Sequence, residues 1–192
     1  MEAKGKLIVI VAPSGTGKSS LMRRLKDEDL LLDESISYTT RGIRPGEVDG
    51  RDYFFVSSAE FKQMIEKDEF TEWALVHGEY KGTSKNFVEK KISKGHNLIF
   101  DLDIQGTDSM KQFFPDQTAA IFIRPPSYEV LKSRLMGRGT ETEEALKVRL
   151  ENARKELKRA DDYDYVIVND DIEHAYNELK NLIIKILGKS EL

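Results

Sequence analysis

Apolar residues fall in short unbroken runs, separated by longer stretches in which they recur every three or four positions. Residues 7–11 form one such run and 165–168 another, and the strand-like segments 98–102 and 119–124 are runs of the same kind interrupted by Asp101 and closed by Arg124. Runs of this length without alternation predict strands buried on both faces. The stretches around them have helical spacing. Residues 19–25 repeat through Leu21, Met22 and Leu25, and 84–93 and 127–136 follow the same rule. Leu146, Leu150, Ala153, Leu157 and Ala160 make one stripe ending near residue 160, with a solvated face of Glu, Lys and Arg behind it. Residues 172–187 keep Ala175, Tyr176, Leu179, Leu182, Ile183 and Ile186 on one side. Strands alternating with helices predict an α/β fold with a parallel sheet covered by helices on both faces.

Residues 37–83 break this alternation. Residues 35–40, 52–56 and 70–76 read as strands, and Ser57 with Glu60 offers a capping box for a helix that turns Phe61, Met64 and Ile65 inward. Residues 41–52, rich in Gly, Pro and charge, predict an exposed, mobile loop. Residues 30–34 read as a connector, Trp73 as core packing, and Gly78 with Gly82 as brackets of a turn around Glu79, Tyr80 and Lys81. The expected organisation is a core of residues 1–36 and 84–192, carrying a small α+β insert at 37–83. Gly137, Arg138 and Gly139 predict a flexible turn, and Thr140 with Glu143 a second capping box.

The first run leads into the chemistry. KLIVIVAPSGTGKSSLMRRL is strand, glycine turn, Lys-Ser, helix, the layout of a P-loop, with Ala12 where the pattern opens on glycine. Gly15 and Gly17 let main-chain N–H groups converge on phosphate oxygens, and the helix from about Lys18 aims its dipole there too. Ala12, Pro13, Ser14, Gly15, Thr16, Gly17, Lys18, Ser19 and Ser20 are therefore expected to bind ATP, with Lys18 on its terminal phosphates and Ser19 on Mg²⁺. Asp101 ends a buried strand, where a carboxylate can help hold that metal or simply cap the next helix, and Asp103 falls on the same strand face. Arg41, Arg44 and Tyr53 make a second anion-binding constellation, since guanidinium forks match phosphate oxygens.

Composition narrows the partners. Of 192 residues 39% are hydrophobic and 33% charged, with a net charge of −4, so no global basic field argues for nucleic acid or an anionic membrane. Cysteine is absent, which excludes disulfides and thiol chemistry and suits a reducing cytoplasm. The first apolar run is too short for a signal peptide, and no run approaches membrane-spanning length. His77, His96 and His174 lack metal-ligand spacing.

Five further stretches, SISYTTRGIRPGEVDGRDYFF, EFTEWA, DLDIQG, GRGTETEE and VIVNDD, follow in order and resemble the successive signatures of guanylate kinases. The resemblance covers residues 5–187 and implies a P-loop core, a GMP-binding insert and an arginine-bearing lid at about 126–158. It implies Ser37, Glu72, Thr83 and Asp103 as guanine contacts and Arg41, Arg44 and Tyr53 as GMP-phosphate contacts, and Asp101 is expected among the GMP-binding residues as well. It further implies Arg138 and Arg149 as lid arginines acting with Lys18, Arg41 and Arg44 in catalysis, Arg138 reaching ATP, and Asn169 near the adenine. Lys81, expected among the GMP-binding residues, stands where guanylate kinases usually carry a tyrosine that donates to the GMP phosphate. Carboxylates at Glu72 and Asp103 suit guanine, whose N1–H and N2–H donate, and would meet an acceptor on adenine.

The implied reaction is ATP + GMP → ADP + GDP with Mg²⁺, with dGMP left open, in a monomer or small homo-oligomer. The acceptor phosphate has a second pKa of about 6, so no general base is needed. Two rivals remain. A kinase of another nucleoside monophosphate would lack the Glu72 and Asp103 pair. A catalytically inactive guanylate-kinase-like interaction module would carry a degraded P-loop.

Overall fold

A computed structural model of the chain describes residues 4–26, 30, 32–76, 78–137 and 143–188. The expected strand runs are strands: β1 (Leu7–Val11), β7 (Asn97–Asp101), β8 (Thr118–Arg124) and β9 (Tyr165–Val168). The helices follow the apolar stripes as α1 (Lys18–Lys26), α2 (Ser58–Glu66), α3 (Lys85–Ile92), α4 (Ile104–Phe113), α5 (Tyr128–Met136), α6 (Glu143–Leu157) and α7 (Ile172–Ile186). Five strands form one sheet in the order β2-β7-β1-β8-β9, where β2 is Leu32–Glu34. The pairs β2·β7 and β8·β9 are parallel, giving the α/β sheet flanked by helices. No helix among the described residues is long and apolar enough to cross a membrane.

The chain divides into two compact units. One comprises Met1–Leu7, Leu32–Phe100 and Gln105–Thr118, the other Ile8–Leu31, Asp101–Ile104 and Ala119–Leu192. The first contains a second sheet in the order β4-β3-β6-β5, built from β3 (Tyr38–Thr39), β4 (Phe54–Phe55), β5 (Phe70–Val76) and β6 (Glu79–Ser84). Phe61 of α2, fully buried, stacks on Phe70 at 4.4 Å and on Tyr80 at 5.2 Å. The Ser57 capping box forms as expected and sets the entry of that helix.

Several local expectations are corrected. Residues 32–34 are not a connector but β2, held in register by Leu32↔Asn97, Asp33↔Leu98 and Glu34↔Ile99. Three residues are too few to show a period, so only pairing reveals this strand. Glu79, Tyr80, Lys81 and Gly82 are strand, not turn, and face Val76, Leu75, Ala74 and Trp73 across the ladder. Gly82 is a close-approach glycine: a Cβ there would lie 2.9 Å from the Glu72 carbonyl oxygen and 3.0 Å from the Trp73 Cβ. Trp73 is not core, being 47% exposed on edge strand β5 beside exposed Leu75. Strand β7 ends at Asp101, so Asp101 and Asp103 do not share a strand face.

Among the described residues of the second unit, two apolar clusters are seen. Val11, Ala120, Phe122, Ala160 and Tyr163 make one, and Leu131, Leu135 and Ala153 the other. Leu146, Leu150 and Leu157 close over the second, so the α6 stripe is its contact with α5. The helix stops at Leu157, and Ala160 sits in a separate 3-10 turn, Ala160–Asp162. Thr140 and its expected capping box lie outside the described residues.

Candidate active site

Strand β1 delivers the chain into the P-loop, which turns on hydrogen bonds from Thr16 N (3.4 Å) and Thr16 Oγ1 (2.9 Å) to the Pro13 carbonyl. Residues 12–20 line a cavity of about 290 Å³. Gly17 adopts φ 93°, and a Cβ there would stand 2.5 Å from Asn169 Nδ2, so conformation and space both require glycine. Ser20 N and Leu21 N return to the Gly17 carbonyl at 3.0 and 3.2 Å, closing the first turn of α1. The helix N-terminus thereby lies against the cavity with its free N–H groups, a polyphosphate-binding geometry.

The Lys18 ammonium is ion-paired with Asp101 Oδ1 and donates to the Leu102 carbonyl oxygen at 3.3 Å. It is thus held near the loop by the residue that ends β7. Ser19 and Asp101 are exposed. Among the described residues no group of three or more His, Cys, Asp or Glu is placed to hold a metal ion. One hydroxyl and one carboxylate beside a phosphate cradle suit Mg²⁺, which keeps several waters and takes its other ligands from phosphate oxygens.

Asn169 has a structural role visible only in three dimensions. It is 3% exposed, and its Nδ2 donates to the Thr16 carbonyl at 2.6 Å. Arg134 of α5 donates in turn to the Asn169 carbonyl (Nη1, 3.0 Å) and to that of Asp170 (Nη2, 3.3 Å). Arg149 is half-buried on α6, whereas Arg138 lies outside the described residues. Sequence reasoning missed Glu156, which it left on the solvated face of α6. Its carboxyl is pushed above the usual range, mainly by burial, opposed by the Lys18 charge and reinforced by that of Asp103. The signal was its place three residues after buried Ala153 and beside Leu157 of the stripe.

In the other unit two members of the second constellation, Arg41 and Tyr53, are in contact, while Arg44 is exposed. The Arg41 guanidinium lies 5.4 Å from the centre of the Tyr53 ring, and Lys81 Nζ lies 5.5 Å from it. The loop at 41–52 is exposed as expected, but its backbone is tied at several points. Arg41 Nη2 donates to Glu47 Oε1 (2.7 Å) and Nη1 to Oε2 (3.0 Å), and the Arg44 N–H also reaches Oε2 (2.7 Å). These bonds, Arg41 first, hold the Glu47 carboxyl below its usual range. Val48 N bonds Asp52, and Phe55 N bonds Asp49.

Thr83, 1% exposed, donates from Oγ1 to Glu72 Oε1 at 2.8 Å, across the β5·β6 ladder where the two residues pair. Two of the residues expected at guanine are therefore in direct contact. Ser37 is half-buried, and its carbonyl accepts from Phe54 N at 2.9 Å.

The guanylate kinase family model matches residues 4–186. A guanylate kinase of Geobacter sulfurreducens is 46% identical over 184 residues, covering 96% of this chain and 90% of that protein. One from Novosphingobium aromaticivorans is 41% identical over 183 residues, covering 95% and 83%. The crystal structure of guanylate kinase from Anaplasma phagocytophilum superimposes with a TM-score of 0.68 at 30% identity, covering 99% of this chain and 90% of that one.

Proposed function

This chain belongs to the guanylate kinase family, and from that premise we propose how its own residues divide the work. It is a nucleoside monophosphate kinase that phosphorylates GMP with ATP. The P-loop from Ala12 to Ser20 takes the ATP phosphates, with Lys18 supplying charge to the transferring phosphoryl group. Ser19 and Asp101 would hold Mg²⁺, which neutralises charge on the phosphates when bound. Arg41, Arg44, Tyr53 and Lys81 take the GMP phosphate; Ser37, Glu72 and Asp103 read guanine, with Thr83 orienting Glu72; Arg138 and Arg149 complete the charge around the transferred group. Asn169 reaches the adenine side while pinning the Thr16 carbonyl. The absence of cysteine supports a reducing cytoplasmic setting.

The observation that carries the acceptor's identity is the Thr83–Glu72 hydrogen bond. A threonine hydroxyl spent on Oε1 orients the carboxylate as an acceptor, which matches the donor edge of guanine and opposes adenine. No base is needed, because the attacking phosphate is mostly ionised above its second pKa of about 6. Catalysis is then alignment and charge neutralisation. The test is ADP release from ATP with GMP, dGMP, AMP, UMP or TMP, against a control without acceptor. Turnover with GMP far above that with AMP is expected; equal rates would overturn the guanine reading, and no turnover with any acceptor would favour the interaction-module rival.

A further inference from the structure

The residue that shapes the anion-binding arginine is one to which the proposed division of work gives no role. Glu47 receives three N–H donors: both terminal nitrogens of Arg41 and the backbone N–H of Arg44. The Arg41 side chain is 11% exposed and that of Glu47 21%, so this pair is largely screened from water. Its geometry leaves a specific part of the arginine available. Nη1 and Nη2 form the end-on fork to the carboxylate, and Nη1 gives its second proton to the Gly42 carbonyl at 2.7 Å. Among the described residues nothing accepts from Nε, so the edge made by Nε and Nη2 remains for a ligand. That edge is itself a two-donor fork of the kind that matches two phosphate oxygens. The Tyr53 and Phe55 rings, 5.4 and 5.7 Å from the guanidinium carbon, add packing contacts to the same group.

We propose that Glu47 is a positioning residue for GMP: by occupying the end-on fork of Arg41 and tethering the Arg44 backbone, it aims the remaining Arg41 fork at the nucleotide phosphate. This rests on the reading of Arg41 as a GMP-phosphate contact. Glu47 touches no substrate. It acts by removing the conformational freedom that a long arginine side chain would otherwise lose on binding. A carboxylate is required, because an amide would present N–H donors to a cluster of donors, and Asp is one methylene too short to reach both arginines.

The test measures steady-state constants for ATP and GMP, and inhibition by guanosine, which shares the base but lacks the phosphate. Glu47→Gln should raise KM for GMP about tenfold, with kcat falling less than about threefold, as lost ground-state binding requires. The constant for ATP and the inhibition constant of guanosine should stay within about twofold, because neither ligand uses the aimed fork. Glu47→Asp should fall between, and it also serves if Glu47→Gln fails to fold. In an Arg41→Ala background, which should itself raise KM for GMP, Glu47→Gln should add less than about twofold, since the two residues act as one unit. An equal Glu47→Gln effect with and without Arg41 would overturn the positioning role, as would a lowered KM for GMP, which would make Glu47 a competitor for the arginine. Unchanged KM for GMP in Arg41→Ala would instead overturn the underlying phosphate-contact reading, and this inference with it.

Discussion

Lys81 shows how far a single residue can be read and where the reading stops. The sequence places a cation where the guanylate kinase pattern it resembles usually has a tyrosine, but it does not say where the ammonium goes. The structure puts Nζ 5.5 Å from the Tyr53 ring centre, on the ring that also carries Arg41. A half-buried lysine on the ring that Arg41 also contacts can add a point charge to an anion site there, and its gain is limited by solvent screening and by the entropy of its stem. Lys81→Ala should therefore raise KM for GMP by about threefold to tenfold, an effect that shrinks with added salt. KM for ATP should hardly move, and Lys81→Tyr should recover part of the loss. An unchanged GMP constant at low salt in Lys81→Ala, with improvement over the parent in Lys81→Tyr, would show that the lysine contributes nothing to binding. Trp73 marks the opposite case, because a large apolar residue on an edge strand carries no sequence sign of its exposure.

At the level of elements, long apolar segments were legible and the short strand β2 was not. Helices α5, α6 and α7 follow stripes long enough to set a period, and strands β1, β8 and β9 are continuous apolar runs. Strands β3 and β4 fall inside the expected strands at 35–40 and 52–56 and keep two residues each, whereas β2 has three residues and exists through its partner β7. Gly82 misled for a physical reason: glycine serves turns and close backbone approach alike, and only Phe61 and Trp73 packed around it distinguish the two. Helix α6 hides a further property, since its charged face is not uniformly solvated. The Glu156 carboxyl has its pKa raised by burial. A carboxyl titrating higher in the folded than in the unfolded chain costs stability when ionised in both states. That cost is full above the folded pKa, fades as pH falls through it, and vanishes below the unfolded value of about 4.3. Glu156→Gln should thus raise Tm at pH 7.5, and the gain should diminish steadily towards pH 4.5. A variant less stable than the parent at pH 7.5, or a gain independent of pH, would show that attraction to Lys18 outweighs burial.

For the whole molecule, the P-loop and the ordered signatures after it made the reaction readable before the fold, because phosphate chemistry demands specific residues at fixed spacing. The pairings that tune those residues were hidden: Lys18 with Asp101 and Asn169 with Thr16 depend on chain closure, and Arg41 with Glu47 on the shape of one loop. They also bear on what a metal does here. Asp101 is held by Lys18 and Thr16 by Asn169, so in the P-loop unit these groups take their positions from protein contacts. On the proposed assignment of Ser19 and Asp101 as its protein ligands, Mg²⁺ should arrive mainly with the nucleotide and should not be a structural ion. A chelator should therefore abolish phosphoryl transfer yet leave the Tm of the nucleotide-free protein unchanged. Added ATP should raise Tm more with Mg²⁺ than with chelator, because ligand stabilisation grows as RT ln(1 + [L]/Kd), about 2.7 kcal/mol at a hundredfold excess over Kd. Scanning calorimetry across these four conditions separates the possibilities. A drop of Tm on chelation without nucleotide would reveal a resident structural metal, and equal ATP stabilisation with and without Mg²⁺ would remove Ser19 and Asp101 from the metal site.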